Sequence, residues 1–315
     1  MAALRSVTAR TLDYFARPHE SVRRTPVEGA AVWTGPECAA RDDWWERLTP
    51  EDLKEIDAAL SVAKRTGKPM ERLGREDFPL PALATKIARW ASEVDRGRGF
   101  QVIRGVPVER WSEADATLFY WGFGLHMGLP AEQSRLHDLV GHVRNEGVNP
   151  NDPDVRAYRT AEHIAFHCDA ADVVGLLCLR TAKHGGRSLI ASSATIYNRL
   201  LAERPDLVGR LYRPMYLDTR GDGGVYYIAV TPCRHADGVL RTFWHSDYFR
   251  TAERYARVPR FDALTRELLD RYDALAADPS IHFAMDLEPG DIQLLSNHTV
   301  IHARTAYEDW PEPER

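Results

Sequence analysis

Cysteine is scarce: Cys38, Cys168, Cys178 and Cys233 are the only four among 315 residues, and no two form a CxxC pair. That excludes a disulfide framework and a thiolate zinc site, and it predicts small buried apolar side chains. No run approaches the ~18 consecutive apolar residues a membrane helix needs. The opening MAALRSVTARTLDYF also lacks the apolar core of a signal peptide. Positive charge is not in surplus, with 41 Lys and Arg against 46 Asp and Glu and a net charge of −5. A nucleic-acid partner is therefore not expected, because phosphate neutralisation needs local cationic excess. The expectation is a soluble, cytoplasmic protein with a small-molecule partner and neither nucleic acid nor membrane; a homo-oligomer stays open.

Helices gather early in the chain. Thr49-Pro50 supplies an N-cap and a first-turn proline, followed at helical spacing by Leu53, Ile56 and Leu60. Pro81 to Glu93 reads as a second helix, and Ser112 with Asp115 starts a third. After residue 160 the texture turns to strands. Val173–Leu179 is a continuous apolar run suited to a strand buried on both faces. Further runs at 187–192, 225–230, 240–245, 281–287 and 291–296 alternate with helices capped at Ser193 and beginning at Phe261. The pattern predicts a mainly β fold with helices, a jelly roll (double-stranded β-helix, cupin-like) buttressed by helices. Residues 1–98 form a helical region packed on a core of 99–315, one structural domain overall. The Asn/Pro/Asp/Gly-dense stretch Asn145–Asp154 reads as an inserted loop or lid, about 145–157.

Twelve histidines are the raw material for chemistry. In Phe166-His167-Cys168-Asp169 an extended backbone sends His167 and Asp169 to the same face, where imidazole and carboxylate can meet one ion. A second histidine would complete the face that suits non-haem Fe(II) and leaves coordination positions open. It is offered late, where the turn Glu288-Pro289-Gly290-Asp291 and a strand lead to Asn297 and His302. Three rivals stand nearby. Trp244-His245-Ser246-Asp247 is a second HxD, His163 stands four residues before His167, and His298 four before His302.

The order HCD, apolar strand, Gly185-Gly186-Arg187-Ser188, distant Gly290-Asp291 turn, Asn297 and His302 resembles the Fe(II)- and 2-oxoglutarate-dependent oxygenases of the taurine dioxygenase and clavaminate synthase-like family. The resemblance runs from about Gly99 to the C-terminus. It implies that His167, Asp169 and His302 are the catalytic metal ligands, with Fe(II), 2-oxoglutarate and O2 as the cofactor and cosubstrates. It places the hydroxyl of Ser188 on the distal carboxylate of 2-oxoglutarate, the alternative being that Gly185 and Gly186 form an ordinary hairpin turn and Ser188 merely starts a strand. An Asp at position 169 speaks against the halogenating relatives, which carry Ala or Gly there.

The family's cosubstrate arginine follows the distal histidine by some ten to fifteen residues. Here Arg315 has about that offset, Arg304 is a substitute, or the natural chain continues past the last residue given. The last is preferred, since a core ending mid-loop leaves a strand edge unpaired. The implied reaction is oxidation, by default hydroxylation, of a small organic molecule, with succinate and CO2 as coproducts. The alternatives are a catalytically silent jelly-roll binding protein and a zinc-dependent hydrolase on a cupin-like fold. Arg144, Asn145, His245 and Tyr248 are candidates to meet a small polar or anionic substrate.

Overall fold

The computed structural model describes residues 4–133, 137–149, 152, 155–221 and 224–311. Two four-stranded sheets form its frame. One holds β1 (Trp45–Arg47), β2 (Phe100–Arg104), β4 (Val173–Leu177) and β7 (Ile292–Ser296). The other holds β3 (Ile164–His167), β5 (Ser188–Ser192), β6 (Phe283–Met285) and β8 (Val300–Arg304). Their orders are β1-β2-β7-β4 and β6-β5-β8-β3. Every neighbouring pair is antiparallel except β1 with β2. The sheets face each other as a jelly roll that does not close into a barrel.

Period-two alternation sorts each strand into an inner and an outer face. Phe100, Val102, Ile190, Phe283, Leu295 and Val300 meet between the sheets. Ile103, Ile292 and Leu294 point outward under α2 (Pro50–Thr66), α3 (Leu83–Arg96) and α4 (Glu113–Met127). Ala191, Ile301 and Ala303 point outward under α5 (Ser193–Glu203) and α6 (Ala263–Ala276). Helices plating both sheets raise helix content to about 38% against about 19% strand. The remaining long helix, α1 (Val7–Phe15), buries Tyr14 in the cluster beneath the second sheet.

The helix start at Thr49 is a reciprocal cap: its hydroxyl accepts from the Asp52 amide at 3.3 Å and the Asp52 carboxylate accepts from the Thr49 amide at 2.8 Å. Two starts differ from expectation. Ser192, not Ser193, caps α5, because its hydroxyl accepts the Thr195 amide at 3.0 Å while the Ser193 amide is taken by the Thr299 carbonyl. Asp262 caps α6, just beyond Phe261. β4 lies at a sheet edge with Val173 exposed, so its apolar run does not mark burial on both faces. The expected strand to His245 stops at Thr242, and the chain turns into the short helix Ser246–Thr251. Cys38, Cys168 and Cys233 are buried, Cys178 is partly so, and all four are free thiols. No helix of the described residues is long and apolar enough to cross a membrane.

Candidate metal centre

β3 and β8 pair with His167 directly opposite His302. Residues directly opposite on adjacent strands share a face, so both imidazoles enter the space between the sheets, with ring centroids 4.3 Å apart. Cys168 turns outward into the core under the second sheet, and Asp169 returns to the inner side. One ligating atom each of His167, Asp169 and His302 lies within 4.8 Å of the others, and Asp169 Oδ2 stands 3.6 Å from His302 Nε2.

Three contacts orient this set. Nδ1 of His167 lies 2.9 Å from the Ala165 carbonyl, which makes Nδ1 the protonated nitrogen and leaves the Nε2 lone pair for a metal. The Asp169 amide donates to Oδ1 of Asn297 at 3.0 Å. The amide of Asn297 in turn donates to the Asp172 carbonyl at 3.0 Å. Burial pushes His302 down to about 3, with His167 adding to the effect, so its imidazole is neutral as a ligand must be. Removal from water opposes ionisation of Asp169, but His302, His167, Arg10 and Arg156 outweigh it and hold the carboxyl below its usual range. Two imidazoles and an ionised carboxylate on one side of a cleft are a donor set that fits Fe(II).

Further along the same strand lies a second polar group. Arg304 follows His302 by two on β8, so it shares the inner face, and it pairs in register with Ser188 on β5. Its Nη2 donates to the carbonyls of Thr160 and Glu162 at 2.7 Å each, whereas Nε and Nη1 are buried without a partner. The buried Ser188 hydroxyl donates to Oε1 of Gln293 on the facing sheet at 3.0 Å. A half-satisfied buried guanidinium beside a hydroxyl fits the carboxylate of a keto acid. Arg315, the other expected anchor, lies outside the described residues.

The rival motifs separate. Asp247 is exposed on its short helix and His163 is exposed before β3. His298 stacks on Tyr14 at 4.7 Å and contacts Asp172 at 2.8 Å. His245 bridges to His167 but belongs to no metal-holding group among the described residues. Arg144 reaches Glu113 at 3.9 Å and Asn145 donates to Asp309 at 2.9 Å, so neither meets the centre. Of the loop expected at about 145–157, residues 150, 151, 153 and 154 lie outside the described residues. Sequence reasoning missed Arg10, Arg156 and Arg220. Arg10 and Arg156 bring their charge to Asp169 and Arg220 brings its charge to His245, and no local pattern marks them.

The model of the family "Taurine catabolism dioxygenase TauD, TfdA family" matches residues 64–315. The chain is 32% identical over 301 residues to the FR-33289 synthase of Streptomyces rubellomurinus, covering 91% of this chain and 86% of that one. It is 26% identical over 285 residues to the taurine hydroxylase-like protein SAT17 of Stachybotrys chartarum, covering 88% and 74%. Among solved structures, an asparagine oxygenase in complex with Fe(II), 2S,3S-3-hydroxyasparagine and succinate superposes with a TM-score of 0.65 at 15% identity, over 86% of this chain and 90% of that one. The non-heme iron oxygenase OrfP with Fe, succinate and (3S)-hydroxy-L-Arg superposes with a TM-score of 0.62 at 15% identity, over 84% and 89%.

Proposed function

Because this chain belongs to the taurine catabolism dioxygenase TauD, TfdA family, we propose that His167, Asp169 and His302 hold the iron of an Fe(II)- and 2-oxoglutarate-dependent dioxygenase. The enzyme is an oxidoreductase that hydroxylates a small organic molecule, with succinate and CO2 as coproducts. One observation supports the ligand assignment above all others: two strands far apart in sequence bring two imidazoles and a carboxylate within 4.8 Å. When bound, Fe(II) and 2-oxoglutarate supply an oxidative decarboxylation that consumes O2 and leaves an oxidising equivalent for the substrate carbon.

The chain's own residues do the positioning. His167 presents Nε2 because Nδ1 is held by the Ala165 carbonyl, and Asn297 fixes the turn that aims Asp169. Arg304 and Ser188 receive the distal carboxylate of 2-oxoglutarate, with Ser188 exchanging its bond to Gln293 for one to the anion. The two open guanidinium nitrogens of Arg304 support a charge-assisted contact, which is roughly twice as strong as a neutral hydrogen bond.

The asparagine oxygenase and OrfP structures hold hydroxylated amino acids, which supports a small-molecule substrate here. The same reading takes the enzyme to act in the cytoplasm on neither nucleic acid nor membrane and leaves a homo-oligomer compatible with it. The net charge of −5 supports the exclusion of nucleic acid. A silent binding protein and a zinc hydrolase are not favoured by the family.

Oxygen consumption by anaerobically iron-loaded protein, with and without 2-oxoglutarate, tests the reading directly. Succinate should form only with 2-oxoglutarate, and His167→Ala and His302→Ala should each lose iron and turnover while keeping the native circular dichroism. Iron binding undiminished in both variants would overturn the ligand assignment.

A further inference from the structure

On the outer side of the second sheet three arginines gather at one hollow. The hairpin strands Cys233–Ala236 and Val239–Thr242 set Arg234 directly opposite Arg241. Opposite residues of an antiparallel pair share a face, and like charges placed there destabilise the pair. Arg17, just beyond α1, brings a third guanidinium: with Arg234, Arg241 and His298 it lines a concavity open to solvent. Phe15 and Phe243, edge to face at 4.9 Å, form its apolar wall.

Little of the surrounding protein answers these charges. Asp172 is already engaged by both Arg17 and Nε2 of His298. Among the described residues no carboxylate pairs with Arg234 or Arg241, and the Arg241 side chain has no hydrogen-bond partner. Arg234 Nη1 donates to the Arg17 carbonyl at 2.9 Å, which ties the hairpin to the N-terminal segment. Nε of Arg17 is buried without a partner. Burial first and the Arg241 charge second hold the Arg17 guanidinium below its ordinary range, against smaller opposing effects of Tyr14 and Asp95. An oxyanion among the three would replace that repulsion with charge-assisted hydrogen bonds.

This place is not the cleft of the metal centre. Tyr14 and Phe243 belong to the core on the outer side of the second sheet, whereas His167 and His302 enter the space between the sheets. Arg17 also precedes residue 64, where the match to the family begins.

We infer that Arg17, Arg234 and Arg241 form a site for a tetrahedral phosphate oxyanion, either the free ion or the end of a monoester. Three guanidiniums, one from the end of α1 and one from each strand of a hairpin, suit the several oxygens of a phosphate better than the two of a planar carboxylate. The site goes beyond the oxygenase reading and does not depend on it.

Calorimetric titration of the full chain with inorganic phosphate, with phenyl phosphate and with acetate, each with and without 2-oxoglutarate, tests it. At least one of the two phosphates should bind saturably, and the tighter one distinguishes the free ion from the monoester. Acetate should bind about tenfold more weakly or not at all. Saturating 2-oxoglutarate should leave phosphate binding in place. Arg241→Gln and Arg234→Gln should each weaken it about tenfold, the worth of one charge-assisted hydrogen bond, and Arg241→Lys should weaken it less. Because Arg241 has no partner to lose, its variants should keep the parent's Tm, and phosphate should raise the Tm of the parent more than that of Arg241→Gln. No saturable binding, or affinities unchanged within about twofold in both Gln variants, would overturn the site. Displacement by 2-oxoglutarate would assign the binding to the cosubstrate's place and overturn it too, as would acetate binding as tightly as phosphate.

Discussion

Asn297 is the residue on which the candidate centre leans most without supplying a ligand. It is fully buried, and its side chain accepts the Asp169 amide while its backbone carbonyl accepts the Tyr14 hydroxyl at 2.6 Å. Replacement by Ala leaves the Asp169 amide unpaired and frees the turn that aims the carboxylate. Loss of an outer-sphere partner of this kind lowers metal affinity about 10–100-fold. An unsatisfied buried donor costs about 1–3 kcal/mol. Metal titration and denaturant unfolding of Asn297→Ala should therefore both move, and unchanged affinity would remove Asn297 from the centre. Asn297 was visible in the sequence only as a member of a spaced motif; its reach to Asp169 depends on β7 and β3 coming together.

Two predictions belong to single elements. Gly290, in the turn before β7, has φ +89°, and a Cβ added there would lie 2.1 Å from the Val106 carbonyl oxygen. Gly290→Ala therefore combines left-handed strain of about 1–3 kcal/mol with a backbone collision, and the loss should appear as a lower Tm. A Tm equal to that of the parent protein would show that the turn relaxes freely. At the start of α6, Asp262 accepts from the Thr265 amide at 2.8 Å and pairs with Arg210 at 2.7 Å. Hydrogen bonds from Thr265 and Arg210 hold its carboxyl down at about 2, below the ordinary 3.8. A carboxyl depressed by folding stabilises the native state above its unfolded value and loses that contribution as pH falls through the folded one. Asp262→Asn should thus lower Tm at pH 7, and its difference from the parent should close between about pH 4 and pH 2. A difference independent of pH would mean that the charge contributes nothing. The turn glycine and the early Thr49 cap were legible because their chemistry spans three or four residues. Ser192 was misread by one position because adjacent serines are equivalent until the backbone bends.

At the scale of the whole molecule, α1 ties the start of the chain to its end. Tyr14 is buried, stacks on His298 and donates to the Asn297 carbonyl, while Arg10 on the same helix places its charge near Asp169. Tyr14→Phe removes one hydrogen bond and should cost about 0.5–1.5 kcal/mol. Tyr14→Ala also leaves a cavity and should cost about 3–5 kcal/mol. Denaturant unfolding measures both, and metal affinity should fall less in Tyr14→Phe than in Asn297→Ala because Asn297 keeps its bond to Asp169. Equal stability of the two Tyr14 variants would show that the ring packs against nothing that matters. The N-terminal region also contributes β1, paired in parallel with β2, a strand too short for any alternation to reveal it.

By itself the sequence determined the fold class, through period-two alternation, capping and turn chemistry acting over a few neighbouring positions, and the family, through the order of HCD, the double glycine, the Gly290-Asp291 turn, Asn297 and His302. His167 and Asp169 were candidates because an extended backbone sends them to one face, and His302 because of its place in that order. Only the tertiary structure decided which of them meet and what surrounds them. The register of β3 against β8 sets His167 opposite His302, and the facing of the two sheets brings Gln293 to Ser188. The convergence of three segments puts Arg156 and Arg220 on Tyr248. These contacts join positions whose sequence separation imposes no period and needs no particular neighbour, so they exist only once burial of the outer strand faces under the helices has fixed how the sheets lie.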